Sequence, residues 1–581
     1  MQKISTRLLK RNGGKLISFH HDANNDKASD AAQSSANFKG DILFCGSTKW
    51  DLLGRKTIPK VVAKRGGTTA GDDLLGPSRM RFAGLPDKQF TAVFSGCAAA
   101  HFVLVDVEGV AYGIGRNDNG QLSRADLKSR KHPVKFHLPG IKEGERVMHA
   151  ACGRQHTLLV TSEGRAFSVG TNAFGQLGNG SKTELKKPEV TEWQVVQLPS
   201  DEKTICAAAG AEFSAFACES GAVYAVGSGQ YGQLGNGRTG EFITSGNRIA
   251  FDVIMTPVRV LGFGSGEGEI KIKQIACGTN HTLALDTKGK VWSWGFGGYG
   301  RLGHKTPKDE LRPRRIETFD SSTYSLDIIT CGQSSSFAAQ KNRKSCYMWG
   351  MTKRTGETNM YPKPQFDLQG WEIRSLASGT TSTVVSAERS VISWGGSPTF
   401  GELGYGEGKP KSSTKPQVMA SLEGLLVSQV TEGMAFTAML VSAENDDEKK
   451  IFDALPEYAV ENEGVENDDE SVPSFSFQVF NPTLHNMNRN QGKINTPGLT
   501  AGFRQPSKRP IFCTLPIKFQ RMWVWSMRNI HEKELNVQYQ TGLSCCTTYL
   551  ANVSAASALS ASPFHLGKTL IALSYIYIYQ G

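Results

Sequence analysis

Histidine recurs at a fixed place in this sequence, and its imidazole can bind a metal or move a proton. His101, His156 and His281 each stand three residues after a small residue that itself follows a cysteine. Three imidazoles brought together could hold a metal ion. The other copies of the same motif have no histidine at this position, where they carry Phe213, Ser335, Ser382 and Phe436. The pattern therefore favours a histidine that hydrogen-bonds to a neighbouring repeat, and no metal site is expected.

Cysteine also recurs at a fixed position of the repeated motif. Four of the eleven occupy one position of the repeated motif, namely Cys97, Cys152, Cys277 and Cys331. A small apolar side chain suits a crowded, buried strand. No Cys-x-x-Cys spacing is present, so the sequence gives no reason to expect zinc. Equivalent positions on different repeats have no reason to meet at bonding distance, so we expect reduced thiols and an intracellular protein.

A nucleotide site and a catalytic centre are also not expected. Gly295, Gly297 and Gly300 fit the spacing of a dinucleotide-binding loop, but a proline-containing loop and another strand follow them instead of a helix. No paired carboxylates and no activated Ser or Cys stand out from the repeat. We predict no catalytic residues and no cofactor.

These side chains are positioned by a repeated unit, which is clearest at residues 275–303. Thr282–Leu285 is a short apolar run, and a turn ending at Gly289 leads into the aromatic run Val291–Trp294. Such a pattern is typical of a β-hairpin, and Gly295 ends its second strand. We expect the repeated residues to be structural: Gly153, His156, Gly278, His281, Trp294, Gly295 and Gly395.

Two small residues mark each copy of the unit, one before the hairpin and one after it. The first is Ala98, Gly153, Gly210, Gly278, Gly332 or Gly379, and the second follows 17, 17, 17, 17, 18 and 16 residues later. Gly46 at the front and Gly433 at the back are left as two halves of a seventh unit. Complementary halves are what a closed ring needs. The sequence therefore predicts an all-β, seven-bladed β-propeller in which strand 41–46 joins strands near 425–441.

Composition shifts outside the ring. We predict a flexible basic arm at residues 1–40 and the propeller at residues 41–441. We predict an acidic linker at residues 442–470 and an unassigned, disordered tail at residues 471–581. The net charge is +12 and the isoelectric point is near 9.0, which suits acidic partners, with nucleic acid one possible contact. No apolar run reaches the length of about 20 residues that spans a membrane, and no signal peptide is recognisable.

Some loops depart from the repeat, and departures are where selection for binding could act. In the fifth to seventh blades, hydroxyl groups replace the histidine, a repeat turn is lost, and an apolar tip is added. We expect a partner to bind there, through Lys353, Arg354, Thr380, Thr381, Ser382, Phe400, Glu402 and Tyr405. The insertion at 238–270 is a second candidate, as a blade-edge extension or as a protrusion that binds a partner.

Several pieces of the chain carry a resemblance to a known family, and those outside the repeat motif, Trp50–Lys56 and Pro398–Tyr405, are the most specific. The matching pieces are Trp50–Lys56, Ala151–Leu158, Trp294–His304, Tyr361–Lys363, Ser393–Thr414 and Leu455–Tyr458. Over about residues 41–458 the chain resembles the regulator of chromosome condensation repeat family, most closely the branch of its second member. The resemblance implies a seven-bladed propeller linked to chromosomes, centromeres, spindle and midzone microtubules. It also implies contact with a small Ras-like GTPase, possible nucleotide-exchange activity, and localisation to the nucleus, chromosomes and mitotic cytoskeleton.

Two features of the sequence limit what can be inferred from this resemblance. No stretch of the chain matches the surface by which the first member of the family acts on Ran, so exchange on Ran is not carried over. The start of the chain is basic and free of acidic residues, with Arg7, Lys10 and Arg11. It favours an alternative function, namely a nucleic-acid-associated or mitochondrial propeller without GTPase activity.

Overall fold

The computed structural model describes residues 38–85, 88–264, 269–353 and 355–460, and it places seven small antiparallel sheets in a ring. The predicted seven-bladed propeller is confirmed. The predicted tail at 471–581 and nearly all of the predicted arm at 1–40 lie outside the described residues.

The first three complete blades follow one another in chain order. The chain begins with β1 (Asp41–Ser47), a short helix α1 (Lys60–Lys64) and β2 (Asp73–Phe82). Blade one comprises β3 (Phe90–Phe94), β4 (His101–Asp106), β5 (Ala111–Gly115) and β6 (Arg130–Lys135). Blade two comprises β7 (Val147–Cys152), β8 (His156–Thr161), β9 (Ala166–Thr171) and β10 (Glu189–Val195). Blade three comprises β11 (Thr204–Ala209), β12 (Phe213–Cys218), β13 (Val223–Ser228) and β16 (Val253–Arg259), with the separate hairpin β14 (Glu241–Thr244) and β15 (Arg248–Phe251) inserted before its last strand.

The remaining blades keep the same order. Blade four comprises β17 (Ile272–Cys277), β18 (His281–Asp286), β19 (Val291–Gly295) and β20 (Glu310–Arg315). Blade five comprises β21 (Ile328–Cys331), β22 (Ser335–Gln340), β23 (Ser345–Met351) and β24 (Thr358–Pro364). Blade six comprises β25 (Ile373–Ser378), β26 (Thr383–Ala387), β27 (Ser390–Gly395) and β28 (Ser413–Val418). Blade seven takes β29 (Leu426–Glu432) and β30 (Phe436–Ser442), after which come helix α2 (Asp446–Asp453) and β31 (Glu457–Val460). Within the described residues, single-turn 3-10 helices lie at Gly298–Gly300, Glu317–Phe319, Phe366–Leu368 and Ala420–Leu422.

The hairpin of each blade forms for local reasons, which blade four illustrates. The carboxylate of Asp286 accepts hydrogen bonds from the backbone N–H groups of Lys288 and Lys290, at 2.9 and 2.8 Å, and so caps the turn between β18 and β19. Gly289 closes that turn at a φ of +73°, which favours glycine. The turn sets the register in which Leu283 faces Ser293, and Trp294 is fully buried as a result.

The seventh blade joins the two ends of the ring. β1 pairs antiparallel with β30 from Asp41 opposite Val441 to Gly46 opposite Phe436, and the sheet order is β29-β30-β1-β2-β31. The closure predicted from the two leftover halves is therefore confirmed. Because the first and last strands share one ladder, the edge that an open array would expose is covered.

The predicted linker at 442–470 is described only as far as Val460, and this part contains a helix and a strand; residues 461–470 lie outside the described residues. Asn445 caps α2 with its side chain, and Glu448 completes a capping box. β31 then adds to β2 as a fifth strand, in parallel, with Arg79 opposite Glu457. Asp446, Asp447 and Glu448 lie in the first turn of α2, where the helix dipole favours negative charge.

The core of the propeller lies between neighbouring blades. One cluster, for example, joins Val103 and Leu122 of blade one to Leu159 and Phe167 of blade two. Successive strands of a blade are antiparallel, so the loops from the third to the fourth strand all emerge on one side of the ring. We call this side the upper face. The turns from the second to the third strand lie on the opposite, lower face.

Candidate functional site

The repeated histidines lie between blades, where each imidazole bonds to a hydroxyl of the next blade. His101 Nε2 is 2.8 Å from Thr157 Oγ1, and His281 Nε2 is 2.9 Å from Ser336 Oγ. His156 makes the equivalent bond to Ser214, at 3.0 Å. Burial lowers the pKa of His156 to about 4, so the ring stays neutral. These residues hold neighbouring blades together, as the repeat predicts.

The structural role expected for the repeated glycines and Trp294 also has a physical basis. A Cβ on Gly153 or Gly278 would lie 2.1 Å from the histidine ring of its own blade. A Cβ on Gly395 would lie 2.3 Å from the carbonyl oxygen of Thr381. The indole N–H of Trp294 donates to the carbonyl oxygen of Gln233 in the preceding blade, at 2.9 Å. No larger side chain fits at these glycines without displacing its neighbours.

The residues predicted to bind a partner are not brought together into one surface. Lys353 is on the short loop of blade five and pairs with Glu357 at 2.6 Å, while Arg354 lies outside the described residues. Thr380 donates to the carbonyl oxygen of Cys97 at 2.8 Å, and so connects blade six to blade one past blade seven. Ser382 is buried, and Thr381 is half-buried. These hydroxyl groups belong to the inner strands and their connections rather than to an exposed surface.

The prediction of an exposed tip at Phe400 and Glu402 is wrong. Phe400 is half-buried and packs against the cluster that contains Phe44 and Trp50. Glu402 is 2% exposed, and its carboxylate accepts the backbone N–H of Phe400 at 2.7 Å. The repeat explains this burial, because Gln accepts the same backbone bond in three other blades: Gln121 from Asn119, Gln176 from Phe174 and Gln233 from Tyr231.

Tyr405 has a structural contact of its own. Its hydroxyl donates to the carbonyl oxygen of Ser393 at 2.7 Å, and burial raises the pKa of the phenol. A shallow depression beside it is lined by Leu75, Tyr405, Lys409 and Lys411. The depression is too small to hold a cofactor.

A buried acid near the centre of the ring was not anticipated from the sequence. Glu432 accepts the backbone N–H of Gly379 at 2.6 Å and the hydroxyl of Thr437 at 3.2 Å. Burial raises its pKa to about 8, with Glu402 contributing a smaller electrostatic effect in the same direction. The sequence did contain a signal for this residue. Glu432 stands directly before the small residue that begins its hairpin unit, and four other blades have Cys at that position.

The described residues offer no metal centre. No group of three or more His, Cys, Asp or Glu side chains within them is arranged to hold an ion. The cysteines described are free thiols, and burial raises the pKa of Cys97 to about 12. Nor does any helix described there have the length and apolar character needed to cross a bilayer.

The upper face of blades three and four carries an aromatic cluster that sequence reasoning missed. The rings of Tyr231 and Phe296 are 4.9 Å apart, from adjacent blades. The Arg301 guanidinium lies 4.7 Å from the centre of the Phe296 ring and 5.7 Å from that of Tyr299. Tyr299 has a φ of +63°, a strained value for a residue other than glycine, and remains 46% exposed. Arg301 stands where other blades have Gln, and this departure within the repeat was the available signal.

The insertion in the same upper loop forms the hairpin of β14 and β15. Ile243 lies directly opposite Ile249, and the two side chains are 72% and 62% exposed. Phe242 is 46% exposed. The base of the loop is held against blade four, where the N–H of Gly237 donates to the carbonyl oxygen of Leu311 at 2.9 Å. The predicted alternative of a protrusion therefore has a defined shape, a two-stranded ribbon with apolar side chains in solvent.

The sequence of the chain is similar to those of known repeat proteins. The regulator of chromosome condensation (RCC1) repeat is matched at residues 108–160, 163–217, 220–285 and 288–339. The chain is 42% identical over 428 residues to the protein RCC2 homolog of Danio rerio, across 72% of this chain and 84% of that protein. The chain belongs to the regulator of chromosome condensation repeat family. Human protein RCC2 is 41% identical over 431 residues, across 72% of this chain and 80% of that protein.

Solved structures of this family share the fold. The Saccharomyces cerevisiae protein Prp20p aligns with a TM-score of 0.56 at 19% identity, over 74% of this chain and 98% of that one. That crystal structure was described together with binding of Prp20p to Gsp1p and histones. At this identity the likeness supports the propeller fold alone.

Proposed function

We propose that this chain is a propeller scaffold whose upper face binds a small Ras-like GTPase. We propose further that it acts with chromosomal and microtubule-associated proteins in mitosis, on chromosomes and the spindle. Its membership of the family, and the description of a family structure by its binding to Gsp1p and histones, support this function. The chain needs no covalent chemistry for it, because a surface that stabilises the nucleotide-free GTPase promotes exchange.

The exposed isoleucine pair of the β14–β15 hairpin is the observation that carries the proposal. A cross-strand pair of β-branched residues is stabilising when it is packed, yet Ile243 and Ile249 are mostly exposed to water. A ribbon of 11 residues, Glu241 to Phe251, gains little from apolar side chains that bury nothing. Such a pair is therefore expected to be covered by a partner protein.

The neighbouring aromatic cluster gives this surface a suitable centre. Tyr231 belongs to the same loop as the hairpin, and it contacts Phe296 of the next blade. Tyrosine and arginine are enriched among the residues that dominate protein interfaces. Tyr299 is exposed beside this contact, and the exposed Lys305 and Lys308 of the same loop add a basic margin. Arg301 is 3% exposed, so it supports the aromatic rings from below and is not itself part of the surface. We therefore move the proposed partner site from blades five to seven to blades three and four.

A direct titration tests this proposal. The full-length chain is titrated against a panel of small GTPases, each nucleotide-free, GDP-bound and GTP-bound. The variant Ile243→Ser with Ile249→Ser should bind its partner at least about tenfold more weakly, because we expect this pair to be an anchor of the interface, and truncating an anchor residue costs about 1 kcal/mol or more. Its melting temperature should not change.

The control is Phe366→Ser. Phe366 is 75% exposed but lies in a 3-10 turn on the lower face. It should bind the GTPase as the parent does. If no GTPase binds in any nucleotide state, the proposed function is wrong. If binding occurs and the hairpin variant retains it, the function stands and the site is elsewhere.

A further inference from the structure

The fourth strand of each blade lies at the outside of the ring, and its pairing with the third strand makes these outer strands comparable. In blade two the pairing places Gln194 opposite Ser168, and in blade one it places Val134 opposite the equivalent Gly113. Among the seven blades that the structure describes, the residue before this position is proline in six: Pro77, Pro133, Pro257, Pro313, Pro362 and Pro416. Blade two alone has another residue there, Trp193.

The residue two positions after this one also sets blade two apart. It is lysine, arginine or proline in five of the described blades: Arg79, Lys135, Arg259, Arg315 and Pro364. Blade six has Val418, which is half-buried, and blade two has Val195, which is 51% exposed. A proline lacks the N–H that a further strand needs, and a charged side chain resists burial beneath one, so both protect an edge from pairing. Blade two has neither protection at these two positions.

The backbone of Val195 is directed at solvent. The N–H of Val196 donates to the carbonyl oxygen of Ala166 in β9 at 3.0 Å, and bonding directions alternate along a strand, so the N–H and C=O of Val195 point away from the blade. Among the described residues no strand lies beyond β10.

The upper end of β10 is covered, in contrast. The carbonyl oxygen of Thr191 accepts the hydroxyl of Ser123 at 2.9 Å. Arg65, which follows α1, reaches Glu189, with Nη2 and Oε1 3.9 Å apart. The uncovered part of the strand is therefore residues 192–195, which we call the open edge.

Blade seven shows what an outer edge of this ring accepts. Arg79 is the residue equivalent to Val195, and its N–H donates to the carbonyl oxygen of Pro456 at 2.8 Å. β31 continues from there as a strand of four residues beside β2. The charges match across this pairing, because Arg79 and Arg81 lie 3.6 and 3.7 Å from the carboxylate of Glu457. A short extended segment of opposite charge thus completes this blade.

We propose that the open edge of blade two binds an extended, basic segment of a partner protein, which adds to β10 as a fifth strand. Glu192 is exposed. No other blade has an acid at this position, which is occupied by Gly76, His132, Thr256, Arg312, Tyr361 and Lys415. The open edge is acidic where the edge of blade seven is basic, so its partner is basic where β31 is acidic.

The side chains of the open edge set what the segment carries. A β-branched residue fits opposite Val195, because such cross-strand pairs are stabilising. Lysine or arginine fits beside Glu192. Backbone bonds supply the affinity of strand addition, and the side chains select the sequence. A second copy of the chain is a poorer match, since β10 has two glutamates and no Lys or Arg, and antiparallel pairing would bring like charges together.

The test titrates the full-length chain against the labelled peptide acetyl-Lys-Thr-Val-Thr-Val-Thr-Lys-amide by fluorescence anisotropy. One counterpart has methyl groups on its three central backbone nitrogens, so it keeps every side chain but loses the N–H groups that a strand needs. Another has glutamate in place of both lysines. The parent should bind the lysine peptide, and both counterparts should bind at least about tenfold more weakly. Site-resolved hydrogen exchange should show a fast Val195 amide that the lysine peptide protects.

The matched variants are Val195→Pro and Val418→Pro. Each removes the outward N–H at the equivalent position of its blade, and Pro364 shows that this position accepts proline. Val195→Pro should bind the lysine peptide at least about tenfold more weakly than the parent, whereas Val418→Pro should bind it as the parent does. A second variant, Glu192→Lys, changes only an exposed side chain. It should prefer the glutamate peptide, which keeps the test decisive if Val195→Pro does not fold.

Several results would overturn this proposal. Failure of the parent to bind the lysine peptide is one, and equal binding of the methylated peptide is another. Equal loss in both proline variants, or an unchanged preference in Glu192→Lys, would show that the contact is not at the open edge. A slowly exchanging Val195 amide without peptide would show that the edge is already occupied, by the chain itself in a monomer or by a second copy in a dimer. Sedimentation velocity distinguishes these two cases. No GTPase enters the experiment, so its outcome is independent of the proposed function.

Discussion

Gly46 lies directly opposite Phe436 where the ring closes, and a Cβ at residue 46 would come within 2.6 Å of the Phe436 Cα. The φ of Gly46 is +107°, so its backbone also favours glycine. The two strands that carry these residues come from opposite ends of the propeller. Closure of the ring therefore depends on the absence of a side chain at this position.

The substitution Gly46→Ala should destabilise the propeller more than its backbone conformation alone predicts. Gly246, in the hairpin turn, has a similar φ of +103° but nothing within 4 Å of its Cβ position. Gly246→Ala therefore measures the conformational cost alone. We expect Gly46→Ala to lower the free energy of unfolding by about 2 kcal/mol more than the control. Equal losses in thermal or urea unfolding would show that the close approach at the closure is unimportant.

The fold could be predicted because the repeat places the same physical demands on every blade. The small residues that mark each unit, such as Gly278, and the histidines, such as His281, recur at a spacing that only a ring with two half-blades explains. The candidate site could not be predicted in the same way. Phe400 looks like an added apolar tip in sequence, whereas its half-burial depends on blade seven, which is assembled from both ends of the chain.

The upper-face surfaces needed the structure for a related reason. Tyr231 and Phe296 are far apart in sequence and meet only because their blades are neighbours. Arg65 and Glu189 likewise connect loops of different blades. A single sequence shows a departure from the repeat at Arg301, but it does not show whether the departure faces solvent or a neighbouring blade.

Truncation should distinguish the described C-terminal segment from the residues after it. Phe452, Leu455 and Val460 are buried, and Tyr458 bonds to Thr48 at 3.2 Å. The repeat predicts a dispensable tail after Tyr458, and β31 moves that boundary to Val460. A chain ending at Val460 should melt like the parent. One ending at Ser442 should lose about 3–5 kcal/mol, because three buried apolar side chains are removed.

Circular dichroism with thermal melting checks both truncations. A large loss of stability in the chain that ends at Val460 would show that residues 461–581 stabilise the propeller. An unchanged melting temperature in the chain that ends at Ser442 would show that α2 and β31 add nothing to it.

Glu432 should make the propeller less stable at alkaline pH. Its pKa is raised from an ordinary value of 4.5 to about 8, because burial disfavours the carboxylate. A raised pKa in the folded state means that its contribution is fully present below pH 4.5 and is lost as the pH rises through about 8. Stability should fall by on the order of 2 kcal/mol between about pH 6 and about pH 9. Glu432→Gln should make this fall smaller.

Comparing the two proteins isolates Glu432 from other groups. His156 affects stability only at acidic pH. Its pKa is lowered to about 4, so its contribution to the free energy of unfolding is lost as the pH falls below 6.5. The buried thiols, such as Cys97, also favour lower pH but are present in both proteins. Identical unfolding curves for parent and Glu432→Gln at about pH 6 and about pH 9 would contradict the assignment.

The variant Phe400→Ala with Glu402→Ala should damage folding rather than a binding surface. The Phe400 ring packs against the cluster of blade seven, and the Glu402 carboxylate caps the turn that carries it. We expect a loss of about 3–5 kcal/mol, comparable to Trp294→Ala, which empties a fully buried position and removes the bond to Gln233.

A single substitution gives the sharpest control, because the repeat itself supplies the replacement. Glu402→Gln keeps an oxygen for the backbone N–H of Phe400 and removes a carboxyl group whose pKa burial raises. Gln176 makes the same contact in blade two. Glu402→Gln should therefore retain or increase stability in urea unfolding while the double variant loses it. If the double variant unfolds like the parent, the loop is not part of the core, and the exposed site predicted from the sequence regains its support.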